Sequence, residues 1–337
     1  MKLILIIAVL VIFIFFMFFY GGYYLIYPSL RGEQILAQLD IPYPVVIAHR
    51  GASIVAPEST VPAYEKARDT GADYLEADLH QTKDGKIVVF HDNNLKRTSN
   101  ISKIYPDKEN KEIGKFTLEE LKKLDIGNWF NKNNPESASK EYKNLKILTL
   151  EELIDIVESG ENTPGLVLEL KQPDKYTDME VNIINILDKK GWLEVENEVE
   201  SQENNKVKVG KGNSRIIFFS FNLDSLKKLK ELAPQFPRLL LITDNRISRR
   251  NWNQWLDRAE EIVDGLGPKG FMSWPWHIAA AHDKGLFVFP YVINKSWQLQ
   301  ILSQFRSDGF ITDRPEIVLE FLKRFPELSE LDILEEE

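Results

Sequence analysis

Residues 45–92 read VVIAHRGASIVAPESTVPAYEKARDTGADYLEADLHQTKDGKIVVFHD, and this stretch decides the fold of the chain. It begins with an apolar run over residues 45–48, which predicts a strand buried on both faces. A helix is predicted next, because Pro62 suits a first helical turn and Gly71 suits a left-handed helix end. Residues 74–79 then predict a second strand. The order of strand, helix and strand is typical of a parallel α/β sheet.

Titratable side chains follow or line these strands. His49 comes directly after the first strand, and His91 comes after the apolar residues 87–90. Glu76 and Asp78 are two residues apart in the second strand, so both side chains point to the same face. Two carboxylates about 7 Å apart repel each other unless a cation or solvent compensates their charge. The stretch therefore indicates a charged site at the rim where these strands end.

The dipeptide Asp84-Gly85 predicts a two-residue hairpin turn between the second strand and the apolar residues 87–90. Pairing about that turn sets Asp78 opposite His91 and returns His91 to the rim from which the carboxylates project. A bulge in the hairpin would shift this pairing by one residue.

Another strand is predicted over residues 163–171, and it carries an anion and a cation on one face. Glu169 and Lys171 are two residues apart, and each needs a partner if it is buried at the end of a sheet. A mutual structural ion pair is one interpretation of these two side chains. Binding of a ligand is the other.

Composition limits the class of protein. A chain of 337 residues with 43% hydrophobic residues can bury one large core, and α/β barrels of this size are common as single domains. The net charge of −9 argues against nucleic acid as a partner of the main body. The sequence contains no cysteine, which excludes a disulfide framework, a thiolate metal site and a cysteine nucleophile.

The amino-terminal segment is apolar. Residues 3–19 form an unbroken apolar run behind Lys2, and no charge follows until Arg31. This length approaches the roughly 20 residues that span a bilayer. We therefore expect residues 1–27 to form a retained single-span transmembrane anchor, with a linker over residues 28–43. Lys2 and the free amine lie at one end of this segment and Arg31 at the other, and this balance favours an inside amino terminus with the folded domain on the outer or periplasmic side.

The remaining chain is assigned to one folded domain over residues 44–325, with a tail over residues 326–337. Residues 93–148 are polar and rich in lysine, and they interrupt the alternation of strands and helices. This segment is expected to be an insertion. Residues 117–121 (TLEEL) carry a capping signature, which predicts a short helix inside it.

Ordered motifs in this chain resemble those of the glycerophosphodiester phosphodiesterase family. The motifs of the first part are His49-Arg50-Gly51, Pro57-Glu58-Ser59-Thr60, Glu76-Ala77-Asp78, Thr82-Lys83-Asp84-Gly85 and His91-Asp92. Those downstream are Leu168-Glu169-Leu170-Lys171, Ser220-Phe221, Lys284-Gly285, Tyr291-Val292-Ile293-Asn294 and Asp308-Gly309-Phe310-Ile311-Thr312-Asp313-Arg314-Pro315. The resemblance covers residues 45–322. It implies an α/β fold of the TIM (β/α)8 barrel type, with the insertion lying over the mouth of the active site.

The same resemblance implies metal-dependent hydrolysis of glycerophosphodiesters to glycerol 3-phosphate and an alcohol. It gives Glu76, Asp78 and Glu169 to a divalent ion, and these hard oxygen ligands suit Mg²⁺ or Ca²⁺. Arg50 and Lys171 are then expected to donate to the phosphate oxygens of the substrate.

The resemblance also implies that His49 and His91 are the general acid and the general base. The sequence leaves open which histidine has which role. Tyr291 replaces the family's usual tryptophan and is expected to wall the substrate pocket. His80 lies out along the hairpin and is left outside the site. Asp313 is expected to have a structural role at the end of the last strand.

Two alternative functions differ from this one in the substrate or in the class of protein. In the first alternative, the substrate is a lysophospholipid rather than a soluble glycerophosphodiester, and it is cleaved at the membrane by a lysophospholipase D type of reaction. The apolar amino-terminal segment is the reason for this alternative. A membrane-tethered, inactive barrel that binds a phosphodiester or a partner protein is the third interpretation. The joint presence of both histidines and all three acidic residues argues against the inactive barrel.

Overall fold

The computed structural model of the protein describes residue 22 and residues 29–194, 214–243 and 249–324. The predicted anchor over residues 1–27 lies outside these residues apart from Gly22, and the tail over residues 326–337 lies wholly outside them. Within the described part of the chain, no helix combines the length and the apolar character that a membrane span requires. The anchor therefore stays a prediction.

The described residues alternate between strands and helices. The strands are β1 (Val45–Ala48), β2 (Tyr74–Gln81), β3 (Ile87–Val89), β4 (Leu148–Thr149), β5 (Gly165–Leu170), β6 (Ile216–Ser220), β7 (Arg238–Ile242), β8 (Gly265–Pro268), β9 (Phe287–Val288) and β10 (Gly309–Thr312). The helices are α1 (Arg31–Gln38), α2 (Val61–Thr70), α3 (Ile101–Ile104), α4 (Leu118–Lys122), α5 (Asn128–Asn133), α6 (Leu150–Glu158), α7 (Met179–Lys189), α8 (Leu223–Leu232), α9 (Arg249–Ala259), α10 (Pro275–Asp283), α11 (Ser296–Gln304) and α12 (Pro315–Phe321).

The main sheet is parallel and runs in the order β10-β1-β2-β5-β6-β7-β8-β9. Helices connect successive strands of this path, and α12 follows the last one. Backbone hydrogen bonds from Asp308 N to Val288 O (3.2 Å) and from Ile311 N to Pro290 O (3.3 Å) join the chain around β10 to the chain around β9. These bonds link the two ends of the path, as in a TIM-barrel-like α/β fold.

Two layers of apolar side chains stabilise this architecture. One cluster lies inside the curved sheet and includes Ile47, Val167, Phe219, Leu241 and Ile311. A larger cluster packs the outer face of the strands against the surrounding helices. The strands are buried on both sides, which explains why their sequences read as continuous apolar runs.

The helix predicted after the first strand is confirmed as α2. It ends at Gly71, whose φ of 93° is the left-handed conformation that glycine adopts without strain. The predicted cap of the short helix α4 is also confirmed, because the Thr117 hydroxyl accepts from Glu120 N while the Glu120 carboxylate accepts from Thr117 N.

The prediction of a two-residue hairpin turn between β2 and β3 is wrong, because the loop is one residue longer. Thr82 N donates to Lys86 O, so the loop holds three residues and ends at Gly85, which has a φ of 75°. Phe90 N donates to Asp78 O at 2.9 Å, and Phe90 rather than His91 therefore faces Asp78. His91 lies one residue beyond the expected position.

The predicted insertion forms a small unit with its own apolar cluster. Leu95, Ile113, Phe116 and Leu121 are fully buried in this cluster, which packs on Val88 of β3. The chain returns to the sheet through β4, which pairs with β3. The insertion is therefore fixed to the hairpin that carries His91.

The linker expected over residues 28–43 contains the helix α1, which packs on the domain. Leu36 is fully buried and Ile41 is 4% exposed, and both join the cluster inside the sheet. Ser29 Oγ lies 2.8 Å from His282 Nδ1. The segment covers the edge formed by the amino-terminal ends of the strands, which we call the amino-terminal edge.

Replacement of Leu36 by alanine tests whether α1 belongs to the fold. Because the leucine side chain is fully buried, we expect Leu36→Ala to lower the free energy of unfolding by about 2–5 kcal/mol. Urea unfolding of the two proteins measures the difference. Gln38→Ala, at an exposed position of the same helix, serves as the control. Equal stability of Leu36→Ala and wild type would mean that α1 does not pack as described.

Candidate active site

His49 stands where β1 ends, and a carboxylate holds its ring. Its Nδ1 lies 2.6 Å from Asp313 Oδ1, and Asp313 also accepts from Ser53 Oγ (3.0 Å) and Asn294 Nδ2 (2.6 Å). Burial raises the pKa of Asp313, but these hydrogen bonds, led by that with His49, bring it to about 2. An ionised carboxylate only accepts, so Nδ1 carries the proton and Nε2 is left for other partners.

Burial and the neighbouring Arg50 cation hold the pKa of His49 below its ordinary value, although Asp313 acts in the opposite direction. The imidazole is therefore neutral near pH 7. A neutral ring that donates from Nδ1 has its lone pair on Nε2, which is the form that accepts a proton.

Arg50 connects the first strand to the carboxylates. Its φ of 57° is left-handed, and this conformation lets its backbone N donate to Glu76 Oε2 at 2.9 Å. Its side chain lies between two further acids, with Nη1 3.1 Å from Glu58 Oε1 and Nε 3.1 Å from Asp78 Oδ2. Gly51 follows with a φ of 83°, and a Cβ there would lie 2.5 Å from the backbone of Ala63 in α2. The turn after β1 therefore requires glycine at this position.

Three buried carboxylates converge at the same end of the sheet. Glu76 and Asp78 share one face of β2, and Asp78 is paired in register with Glu169 of β5. One oxygen of each residue lies within 4.8 Å of the others. Burial, then the charges of Asp78 and Glu169, raise the pKa of Glu76 well above its ordinary value. Burial also raises the pKa of Glu169.

Lys171 partly compensates this negative charge. Its Nζ lies 2.5 Å from Glu169 Oε1 and 2.9 Å from Asp78 Oδ1, so the ion pair considered from the sequence is present and extends to a second acid. Burial raises the pKa of Asp78, but Lys171 and Arg50 outweigh it and hold this pKa below its ordinary value. Asp78 is therefore the most firmly ionised of the three carboxylates.

The donor set fits a divalent cation. When all three carboxylates are ionised they carry a charge of −3, while the two cations in contact with them supply only +2. Glu76 Oε1 is buried and has no hydrogen-bond partner among the described residues. Carboxylate oxygens are the ligands that Mg²⁺ and Ca²⁺ prefer, and an unpaired buried oxygen is costly without a cation. Glu76, Asp78 and Glu169 are the residues that would hold the ion.

The second histidine also rests on a carboxylate. His91 Nδ1 lies 2.6 Å from Asp92 Oδ1, and the imidazole is about one-third exposed. His80, left outside the site by the sequence, is buried with Nε2 3.4 Å from the backbone carbonyl oxygen of His91. Burial lowers the pKa of His80 to about 4, so its ring is neutral near pH 7. His80 lies behind the hairpin end that carries His91.

A cavity of about 120 Å³ opens over these groups at the edge formed by the carboxyl-terminal ends of the strands, the carboxyl-terminal edge. Its lining residues are His49, Arg50, Glu76, His91, Glu169, Lys171, Phe219, Phe221, Leu241, Tyr291, Val292 and Ile311. One wall is charged and the other is apolar. Tyr291 belongs to the apolar wall, where its ring lies edge-on to Phe221 at 6.4 Å.

The predicted site residues thus meet at one end of the sheet, with Asp78 buried beneath the cavity. The sequence did not predict four partners of the site residues. Asp313 and Asp92 bind the two histidines, while Arg97 and Glu58 link Asp92 to Arg50. Asp92 was visible as the neighbour of His91 in the His91-Asp92 motif. Asp313 lies 264 residues from His49, and no local pattern signals that pairing.

The sequence and the fold of this chain are similar to those of known proteins. Residues 49–317 match the model of the "Glycerophosphoryl diester phosphodiesterase family". The chain is 32% identical over 275 residues to a glycerophosphodiester phosphodiesterase of Bacillus subtilis, covering 81% of this chain and 84% of that protein.

Solved structures are similar as well. A glycerophosphoryl diester phosphodiesterase structure from Silicibacter pomeroyi aligns with a TM-score of 0.67 at 22% identity, covering 86% of this chain and 97% of that one. A phosphodiesterase from Oleispira antarctica, solved with the product sn-glycerol-3-phosphate, aligns with a TM-score of 0.64 at 25% identity, covering 83% and 97%. These likenesses support the TIM-barrel-like fold.

Proposed function

The chain belongs to the glycerophosphoryl diester phosphodiesterase family of phosphoric diester hydrolases, and we propose that it cleaves glycerophosphodiesters to sn-glycerol 3-phosphate and an alcohol by metal-assisted acid–base catalysis. The observation that carries this proposal is the convergence of two carboxylate-bound histidines and three buried acids on one cavity. Binding of sn-glycerol-3-phosphate by the Oleispira antarctica relative agrees with the proposed product.

Binding of the phosphodiester is proposed for the charged wall of the cavity. Arg50 and Lys171 line this wall, and their donors suit phosphoryl oxygens. Mutual contacts with the buried acids fix both side chains before substrate arrives, so little reorganisation is needed when charge develops. A divalent ion held by Glu76, Asp78 and Glu169 would neutralise the phosphate and stabilise the charge of the transition state.

Proton transfer is proposed for the two histidines. Asp313 and Asp92 each accept from a ring Nδ1, which leaves Nε2 of His49 and of His91 for the reacting groups. One imidazole takes a proton from the attacking oxygen, and the other gives a proton to the leaving alcohol oxygen. Each carboxylate stabilises the imidazolium form of its histidine and fixes the ring orientation.

The geometry favours soluble glycerophosphodiesters over lysophospholipids as the substrate class. We keep residues 1–27 as a proposed membrane anchor, with the catalytic domain on the outer side. The chain enters the domain through α1 at the amino-terminal edge, where Asp308 contacts His282. Asp313, which holds the ring of His49, stands at the other end of β10, about 16 Å away along the strand. The described chain thus enters the domain at the edge opposite the cavity, and this position supports a substrate that reaches the cavity from water.

Comparison of two substrates tests this choice. For full-length protein reconstituted in vesicles, we expect kcat/KM for glycerophosphocholine to exceed that for vesicle-bound lysophosphatidylcholine by at least about tenfold, which needs only about 1.4 kcal/mol of differential transition-state binding. The measurement is glycerol 3-phosphate released from the first substrate and choline released from the second. Equal or faster turnover of lysophosphatidylcholine would instead support the lysophospholipase D alternative.

A further inference from the structure

Arg97, in the insertion, donates hydrogen bonds to two carboxylates at the edge of the cavity. Its Nε and Nη2 donate to Asp92 at 2.7 and 2.9 Å, while Nη1 and Nη2 donate to Glu58 at 2.7 Å each. Both contacts are bidentate, which is the geometry that uses the planar guanidinium fully. The same guanidinium therefore fixes the orientation of two acids that come from different segments of the chain.

These contacts continue into the catalytic groups on both sides. Asp92 accepts from Nδ1 of His91, and Glu58 accepts from Arg50 at 3.1 Å, which in turn contacts Asp78. From Asp92 to Asp78, acidic and basic side chains alternate along this network. Among the described residues, the network connects His91 on the hairpin with the acids on the main sheet.

Arg97 differs from an ordinary surface ion pair. Its side chain is 45% exposed, but its partners are less accessible, at 13% for Glu58 and 23% for Asp92. Single exposed pairs contribute little, whereas bidentate pairs within a network hold a defined geometry. Without the guanidinium, two anions would face a common gap with nothing between them. Repulsion would then turn Asp92 away from the orientation in which it binds the imidazole.

We propose that Arg97 is a positioning residue: through Asp92 it holds the His91 ring in the orientation that the reaction needs. The inference rests on the proposed function, in which His91 transfers a proton. Lysine cannot replace this arginine, because an ammonium group lacks the planar pair of donors that two carboxylates require. Through Arg97 the insertion thus contributes to the geometry of the reacting groups.

Steady-state kinetics with glycerophosphocholine test the role directly. A misplaced reacting group costs up to about 10²-fold in rate, so we expect Arg97→Ala to lower kcat by about 10- to 100-fold with a smaller change in KM. Arg97→Lys should recover only a small part of that loss. Lys96→Ala is the matched control, because Lys96 is the neighbouring cation and pairs with Glu109 away from the cavity. It should leave both constants unchanged.

A double variant separates positioning from a general effect on the fold. In a His91→Ala background, adding Arg97→Ala should cause no further loss of kcat, because the group that Arg97 positions is already gone. Because the expected loss for His91→Ala is about 10²- to 10⁴-fold, its residual rate is measured over hours at micromolar enzyme. Asp92→Asn provides a second variant that keeps the side-chain volume, and it should likewise be non-additive with Arg97→Ala.

The outcomes distinguish this inference from the proposed function. Wild-type protein without turnover of any glycerophosphodiester would overturn the proposed function itself. Active wild type together with full activity of Arg97→Ala would overturn only the role of Arg97. Equal losses from Arg97→Ala in the wild-type and His91→Ala backgrounds would also overturn it, since a purely structural contribution produces that result.

Discussion

Replacement of His49 by alanine is expected to lower kcat for glycerophosphocholine by about 10²- to 10⁴-fold, the usual contribution of one general acid or base. The residue lines the cavity, its ring is held by Asp313, and its neutral form offers Nε2 as a proton acceptor. Removal of the imidazole leaves no second histidine at that position to take over. Release of glycerol 3-phosphate, measured at saturating substrate with metal present, gives the rate.

A histidine at the other end of the sheet provides the control. His282 is buried against Asp308 at the amino-terminal edge, far from the cavity. His282→Asn, which preserves a polar contact with Asp308, is expected to leave kcat unchanged. Retention of more than about a tenth of the wild-type kcat by His49→Ala would contradict an acid–base role, because even a weak contribution of this kind exceeds tenfold.

Removal of divalent ions is expected to have an effect of similar or greater size. Metal ions contribute several kcal/mol of transition-state stabilisation, so we expect EDTA to lower kcat by about 10³-fold or more. Readdition of Mg²⁺ or Ca²⁺ after removal of the chelator should restore the rate. Activity before chelation, after chelation and after restoration measures the effect in one preparation.

Substitution of a predicted ligand connects that loss to this site. Glu76→Gln preserves the shape of the side chain but removes a charge from the acidic trio, and we expect it to raise the metal concentration needed for half-maximal activity. Glu180→Gln is the matched control, since Glu180 is a buried glutamate of α7 that binds Ser225 and Lys228 outside the cavity. Full activity in EDTA, or equal metal requirements for the two variants, would contradict the assignment.

Local signals explain the confirmed elements of the fold and the shared location of the acidic side chains. The helix α2 follows from Pro62 and Gly71, whose effects act within a few residues. The convergence of Glu76 and Asp78 follows from the two-residue alternation of a strand. Glu169 joins them because parallel strands align their carboxyl-terminal ends at one edge.

The sequence did not predict features that depend on partners distant along the chain. A single added residue in the turn at Gly85 shifts the register of β3, and the dipeptide alone does not specify it. Arg97 reads as one more cation in a polar segment, and only the folded insertion brings it to Glu58 and Asp92. Helix α1 buries few side chains, chiefly Leu36, so its apolar pattern was too short to separate it from a linker.

Location of a bound ion tests the central claim most directly. Mn²⁺ replaces Mg²⁺ at carboxylate sites and scatters X-rays anomalously, so a crystal grown with Mn²⁺ reveals its position. We expect one strong anomalous peak about 2.0–2.6 Å from oxygens of Glu76, Asp78 and Glu169, beside the two histidines. A cavity without such a peak, with Lys171 and Arg50 as the only cations on the three acids, would contradict a metal-assisted phosphodiesterase.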